Sequence, residues 1–144
     1  MYKRQDYDYY TCTVTGSGFS GAARLVKQGE GTLVLPDVEM THRGNTDVWN
    51  GTLVFNGTMK QSSLWLNRHA SLRSAGTFRS IKADYNATVY PGGDGQISTI
   101  TTDSATLGFG SRVVFDLKND FTSDRLDAKA VSYTHLTLPT TSRV

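Results

Sequence analysis

A short motif recurs along this chain at an interval of about 20 residues. The segment 31–35, Gly-Thr-Leu-Val-Leu, returns at 51–55 as Gly-Thr-Leu-Val-Phe, and looser copies begin at Ala70, Ala87 and Ala105. The later copies follow one another slightly more closely than the first two. A nearly fixed period of this length is typical of solenoids, in which each repeat forms one coil and equivalent positions lie above one another.

The residues inside these copies alternate in polarity as strand residues do. Successive side chains of a strand point to opposite faces, so Leu33 and Leu35 share one face while Thr32 and Val34 share the other. One such strand cannot bury its apolar face alone, whereas stacked coils bury it continuously and pair their backbones. The side chains predicted to form the core are Leu33, Leu35, Leu53, Phe55, Leu66, Leu72, Val89, Leu107, Val113 and Phe115.

These patterns predict an all-β fold. We expect a parallel β-helix (β-solenoid) built as a single-stranded, right-handed coil with about 17–20 residues per turn. An antiparallel sandwich also has short strands every 8–12 residues or so, but it gives no reason for the recurring Gly-Thr-Leu motif. Between strands, Asn56-Gly57 and Gly44-Asn45 are predicted to supply positive φ, and Pro36 and Pro91 to end strands. A ladder of side-chain amides is a further hypothesis, with the candidates Asn50, Asn56, Asn67 and Asn86.

Both ends of the chain resemble translated sequencing adapter. Residues 1–5 and 131–144 match the two strand readings of a common transposase adapter, so the natural segment is expected to be residues 6–130, cut at both ends. The 15 Lys and Arg include Lys3, Arg4 and Arg143, whereas none of the 13 Asp and Glu lies in these ends, so residues 6–130 carry a net charge of −1. Cut ends are expected to leave strands unpaired, which predicts self-association through the open solenoid ends.

Composition removes several classes of function. The positive charges are scattered and balanced by acids, so a nucleic-acid partner has no electrostatic support. The single Cys12 rules out an internal disulfide. Because no apolar run reaches about 18 residues, no membrane-spanning helix is predicted.

Two stretches resemble the autotransporter-associated β-strand repeat, also called the passenger-associated transport repeat. The pattern of that family is found in order as Thr-Gly-Ser-Gly at 15–18, Lys-x-Gly-x-Gly-Thr-Leu-x-Leu at 27–35, Gly-x-Thr-x-Val at 44–48 and x-Gly-Thr-Leu at 50–53. The chain departs from the family pattern at Thr15, where serine is usual, and at Trp49, where a smaller residue is usual. A second stretch, 87–126, is similar to the end of such repeat domains.

The resemblance implies the β-helical passenger of an autotransporter-like bacterial surface protein, located at the cell surface, in the outer membrane or outside the cell. In that family the repeats assist secretion and display, which predicts a non-enzymatic structural or stalk segment without a cofactor. Two alternatives stay open. One is a carbohydrate-binding or adhesive surface module with glycans or a host surface as partner. The other is a fragment of a pectin lyase-like, β-helical polysaccharide lyase or hydrolase.

No residue set has a spacing that strongly indicates catalysis or metal binding. For an enzyme of the last kind, the best candidates are Asp84 and Asp103, expected to be stacked one coil apart near Lys82, because glycoside hydrolysis needs two carboxylates roughly 5–10 Å apart. Ser17 is read as a turn residue. We therefore predict no catalytic residue.

The sequence gives an equally weak indication of metal binding. The carboxylates with the best oxygen-ligand character for calcium are Asp116, Asp120, Asp124 and Asp127, but their spacing is not that of an EF-hand and a polar turn is predicted instead. His42 and His69 are predicted to be solvated loop histidines, and His135 lies in the adapter segment. No metal site is therefore predicted.

Aromatic side chains give the only ligand contacts suggested by the sequence. Trp65 lies out of phase with Leu64 and Leu66, so it is expected to face outward from its strand. An exposed indole on a regular face is a candidate glycan contact. Tyr85 and Tyr90 are predicted as further members of this weak ligand-binding set.

Overall fold

The computed structural model describes residues 10–16, 18–92 and 97–133, and this part of the chain is all-β with no helix. The strands are β1 (Thr11–Thr13), β2 (Leu25–Lys27), β3 (Thr32–Leu35), β4 (Glu39–Met40), β5 (Thr46–Val48), β6 (Thr52–Phe55), β7 (Thr58–Leu66), β8 (Ser71–Ser74), β9 (Thr77–Ala83), β10 (Thr88–Pro91), β11 (Thr99–Leu107), β12 (Arg112–Val113) and β13 (Arg125–Tyr133).

The strands form two parallel sheets that share one core. Sheet A has the order β1-β3-β6-β8-β10-β12, and sheet B has the order β13-β11-β9-β7-β5-β2, with β4 also paired to β7. The chain passes from one sheet to the other within each coil, so sequential strands of the same sheet lie side by side. The fold is therefore a β-solenoid, as the repeat predicts, and it has about five turns.

The register of sheet A confirms the stacking of equivalent aliphatic residues. Leu33 pairs with Leu53, Leu53 with Leu72, and Leu72 with Val89, all in parallel register. Each of these steps agrees with the predicted coil of about 17–20 residues. The next step, from Val89 to Val113, is longer than the three before it.

Most of the predicted core lies inside. The buried members, at most 8% exposed, are Leu35, Leu53, Phe55, Leu66, Leu72, Val89 and Leu107. Leu33 and Val113 are partly buried and pack against this cluster. Phe115 is 46% exposed, so its assignment to the core is wrong. The chain leaves sheet A after the two-residue strand β12, and among the described residues no further coil covers that position.

The fifth copy of the repeat does not lie in the column of the other four. Leu107 belongs to β11 of sheet B, where it pairs with Ala83, and the residue stacked on Val89 in sheet A is Val113. Leu107 is nevertheless buried because its own column, which includes Val48 and Leu66, faces the same core. The nearby Phe109 lies past the end of the strand and is 61% exposed.

Close stacking, and not a positive φ, requires glycine at two predicted turns. Gly57 and Gly44 are not among the described residues with positive φ. A Cβ on Gly57 would lie 1.9 Å from the carbonyl oxygen of Val38, and one on Gly44 would lie 2.3 Å from that of Ala23. Each glycine lets one coil approach the backbone of the preceding coil.

The asparagine ladder is not formed as predicted. Asn56 Oδ1 accepts a hydrogen bond from the backbone N–H of Ala75 in the next coil at 2.9 Å, and Asn50 Oδ1 accepts one from Gly51 at 2.8 Å. These amides therefore satisfy turn backbone instead of one another.

The strand β13 extends past the predicted natural boundary at residue 130, as far as Tyr133. The adapter assignment of residues 1–5 and 131–144 stays a prediction, and residues 1–9 and 134–144 lie outside the described residues.

No helix in the described ranges has the length and apolar character needed to cross a bilayer.

Candidate functional site

Trp65 faces outward on sheet B, as the alternation predicts. Its neighbours Leu64 and Leu66 are fully buried, whereas Trp65 is half-buried. In register, Trp65 lies between Asp47 of the preceding coil and Lys82 of the following coil. Parallel stacking therefore places residues of the preceding and following coils beside Trp65.

Two side chains of the following coil fix the orientation of this indole. Trp65 Nε1 donates a hydrogen bond to Asp84 Oδ2 at 3.2 Å. The Lys82 ammonium lies 4.7 Å from the centroid of the indole and 3.5 Å from the same Asp84 oxygen. Lysine above an aromatic face is attracted by the ring quadrupole, so Trp65, Lys82 and Asp84 support one another. We call these three residues the indole cluster.

A shallow cleft of about 360 Å³ lies beside the indole cluster on the outer face of sheet B. Its wall contains Trp65 and Lys82, and hydroxyl groups from successive coils lie along it. The residues that line it are Asn45, Ser63, Leu64, Trp65, Ser80, Ile81, Lys82, Ser104 and Thr106. The cleft therefore combines an aromatic surface, a cation and several hydroxyl groups.

The other two aromatic candidates lie elsewhere. Tyr90 is on the outer face of sheet A, where the Arg73 guanidinium is 4.8 Å from its ring centroid. Tyr85 is 59% exposed on the corner that leads from sheet B to sheet A, in a turn where both Tyr85 and Asn86 have positive φ. The structure thus does not bring Trp65, Tyr85 and Tyr90 together in one site.

The proposed carboxylate pair is not stacked. Ala83 pairs with Leu107, so the coil neighbour of Asp84 is Gly108, and Asp103 lies well before that position on the same strand. At about 3.3 Å per residue this offset is roughly 16 Å along the strand, beyond the separation that glycoside hydrolysis requires. Asp103 instead contacts Lys129 at 3.3 Å, while Asp84 contacts Lys82.

The acids near the end of the chain have separate structural roles. Asp124 is buried and accepts hydrogen bonds from the backbone N–H groups of Asp116 at 2.7 Å and Ser98 at 3.0 Å. Hydrogen bonds from the hydroxyl and backbone of Thr122 lower the pKa of Asp120 below its ordinary value. Among the described residues, no three His, Cys, Asp or Glu side chains converge as metal ligands.

His42 is buried, which corrects its assignment as a solvated histidine; His69 is exposed as predicted. His42 Nε2 lies 2.8 Å from Thr46 Oγ1, which lies 3.0 Å from Ser62 Oγ, and Ser62 donates to the carbonyl of Gly44 at 2.7 Å. Because Ser62 gives its hydroxyl proton to Gly44, Thr46 must donate to Ser62 and therefore accepts a hydrogen bond from His42 Nε2. The imidazole proton is thus on Nε2. The other ring nitrogen, Nδ1, is buried without a hydrogen-bond partner in the described part of the chain. Burial lowers the pKa of His42 from its ordinary value.

Acid is therefore expected to destabilise the fold through His42. Because the folded-state pKa is lowered, the unfolded chain binds the proton first as the pH falls. The contribution of His42 to the free energy of unfolding is therefore fully present above pH 6.5 and is lost as the pH decreases below it. The slope from this group is at most about 1.4 kcal/mol per pH unit. Urea unfolding of wild type and His42→Gln between about pH 5 and pH 8 measures this contribution. A wild-type slope that is unchanged in His42→Gln would contradict it, and His69→Asn, on an exposed turn, is the matched control.

Lys27 does not stand out from the surface lysines in the sequence. It occupies the inward column of Val48 at the first coil, with 9% exposure, and its ammonium donates to the carbonyls of Gly29 at 2.7 Å and Asn50 at 2.9 Å. Desolvation lowers its pKa from the ordinary value. The coil length is the signal that could have found it, since the buried Val48 follows Lys27 by one coil of about 20 residues.

The fold defines the class of the protein as a β-solenoid, with a cleft on the outer face of sheet B that is lined by Trp65 and polar side chains. No family model matches this chain, and no curated protein or solved structure shows significant similarity to it.

Proposed function

We propose that this chain is a non-enzymatic stalk segment of an exported, autotransporter-like bacterial surface protein. The observation that supports this most is the unbroken parallel register of the core columns from Leu33 to Val89. Each coil buries its aliphatic side chains against the coils before and after it, so the fold resists bending as a stack. A stalk needs this property and needs no converging catalytic groups.

The same stacking gives a physical basis for assistance to export. A coil that has formed presents an open strand edge and an apolar face on which the next coil can pair. Full burial of side chains such as Leu53 and Phe55 contributes about 1.5–3 kcal/mol each. This is several times the thermal energy, so folding of each coil outside the cell opposes backward movement of the chain.

The export role is tested by display of the chain on living cells. We would place it between the leader and the translocating barrel of a bacterial autotransporter and measure the protease-accessible fraction on intact cells. Gly57→Ala, which is expected to destabilise coil stacking, should lower surface display several-fold at equal total synthesis. Phe121→Ala, at a side chain that is 99% exposed, is the matched control and should display like wild type. Equal display of both variants would overturn the export role.

A further inference from the structure

The cleft beside the indole cluster has the chemical groups of a carbohydrate site. Sugar rings have an apolar face that packs on aromatic rings and hydroxyl groups that exchange hydrogen bonds with polar side chains. Trp65 supplies a half-buried indole, and the hydroxyls of Ser63, Ser80, Ser104 and Thr106 border the same space. The volume of about 360 Å³ lies at the lower end of the range for small-molecule pockets, roughly 300–1,000 Å³.

The indole is held in place before any ligand arrives. The hydrogen bond from Trp65 Nε1 to Asp84 and the contact with Lys82 both come from the following coil, which is part of the stacked sheet. A platform of this kind loses little side-chain freedom when a ligand binds, which favours affinity. The structure therefore distinguishes Trp65 from Trp49, which is 42% exposed at a corner and does not line the cleft.

The charges around the cleft favour an acidic ligand. The Lys82 side chain is 50% exposed and lines the cleft. Asp84 is only 17% exposed, accepts a hydrogen bond from Trp65 and forms an ion pair with Lys82. Asp103, next to Ser104 on β11, is paired with Lys129.

We propose that this cleft binds an acidic oligosaccharide, with one hexuronic acid ring against the Trp65 indole and its carboxylate beside the Lys82 ammonium. Hydroxyls from three successive coils, about 4.8 Å apart, bind neighbouring rings of an elongated chain. The inference goes beyond the stalk function and is independent of it, because binding is measured on the purified chain without export.

The test uses the intrinsic fluorescence of Trp65. The chain has two tryptophans, so Trp49→Phe leaves Trp65 as the single reporter. Titration of this variant with trigalacturonate should give a saturable change with a Kd below about 1 mM. Maltotriose, a neutral trimer, should bind at least about ten-fold more weakly.

Two further variants assign the binding to the named groups. Lys82→Met keeps an alkyl chain near the indole but removes the charge, and it should weaken trigalacturonate binding about ten-fold with little effect on maltotriose. Lys60→Met removes an exposed lysine of the same sheet outside the cleft and is the matched control. Trp65→Ala, followed by calorimetry, should lose binding altogether.

Different results would contradict the preference for an acidic sugar and the existence of the site. Equal affinity for the two trimers, or equal effects of Lys82→Met and Lys60→Met, would overturn the recognition of an acidic sugar. Wild-type affinity in Trp65→Ala, or no saturable change up to about 10 mM of either trimer, would overturn the site itself. Because the Lys82 side chain is 50% exposed and lies outside the core, Lys82→Met is expected to fold, and it keeps the proposal testable even where Trp65→Ala fails to fold.

Discussion

Replacing Leu53 with alanine will lower the free energy of unfolding by about 2–5 kcal/mol. Leu53 is 1% exposed and lies in register between Leu33 of the preceding coil and Leu72 of the following one. Truncation removes apolar contacts to both coils and leaves a cavity that the rigid backbone ladders cannot close. The measurement is urea unfolding, in which the midpoint should fall while the dependence on denaturant concentration stays the same.

The matched control for this prediction is Leu117→Ala. Leu117 is 78% exposed, so its truncation should change the free energy of unfolding by less than about 0.5 kcal/mol. Similar losses for the two variants would show that the stacked column does not carry the stability that its burial implies.

Gly57→Ala should destabilise the stacked coils strongly, although it adds only one methyl group. The added Cβ would lie 1.9 Å from the oxygen and 2.7 Å from the nitrogen of Val38, both of which are backbone atoms of the preceding coil. A side chain can rotate away from such a clash, but here the coils must separate. The backbone N–H of Thr58 also donates to the carbonyl of Val38 at 3.3 Å, and this hydrogen bond would be strained. We expect a loss of about 3 kcal/mol or more.

The control separates this steric effect from the general cost of replacing glycine. Gly29 has a φ of +86°, but no heavy atom lies within 4 Å of the position that a Cβ would take there. Gly29→Ala should therefore cost only the left-handed backbone strain, about 1–2 kcal/mol. The two variants are compared by thermal and urea unfolding. A smaller loss for Gly57→Ala than for Gly29→Ala would contradict the close approach of the coils.

The position of Trp65 shows how far a coil period can predict a site. Alternation predicts that Trp65 faces outward, and Lys82 and Asp84 both follow it by about one coil length. The sequence instead places these two residues in a carboxylate site with Asp103, on the assumption that the next coil has the same length. That coil is longer in both sheets, from Ala83 to Leu107 and from Val89 to Val113, so Asp103 lies far from Asp84.

The length of that coil has a local cause. The whole segment 92–98 separates β10 from β11, whereas only Ala75 and Gly76 separate β8 from β9. A longer connection shifts every later position relative to a fixed period, and alternation alone does not reveal the shift because both sheets alternate in the same way. The longer connection explains why Leu107 lies in sheet B and not in the column of Val89. Its burial is still predicted correctly, because the inward face of either sheet is part of the same core.

The sequence by itself determined the solenoid and most of its core, because a repeated strand with one apolar face can bury that face only by stacking on its own copies. The tertiary structure alone decided which polar groups meet between coils. It enclosed His42 with Thr46 and Ser62, and it brought Asp84 to the indole of Trp65. Such contacts depend on the register and on the length of each connection, and a displacement of one residue moves a side chain to the opposite face of the sheet.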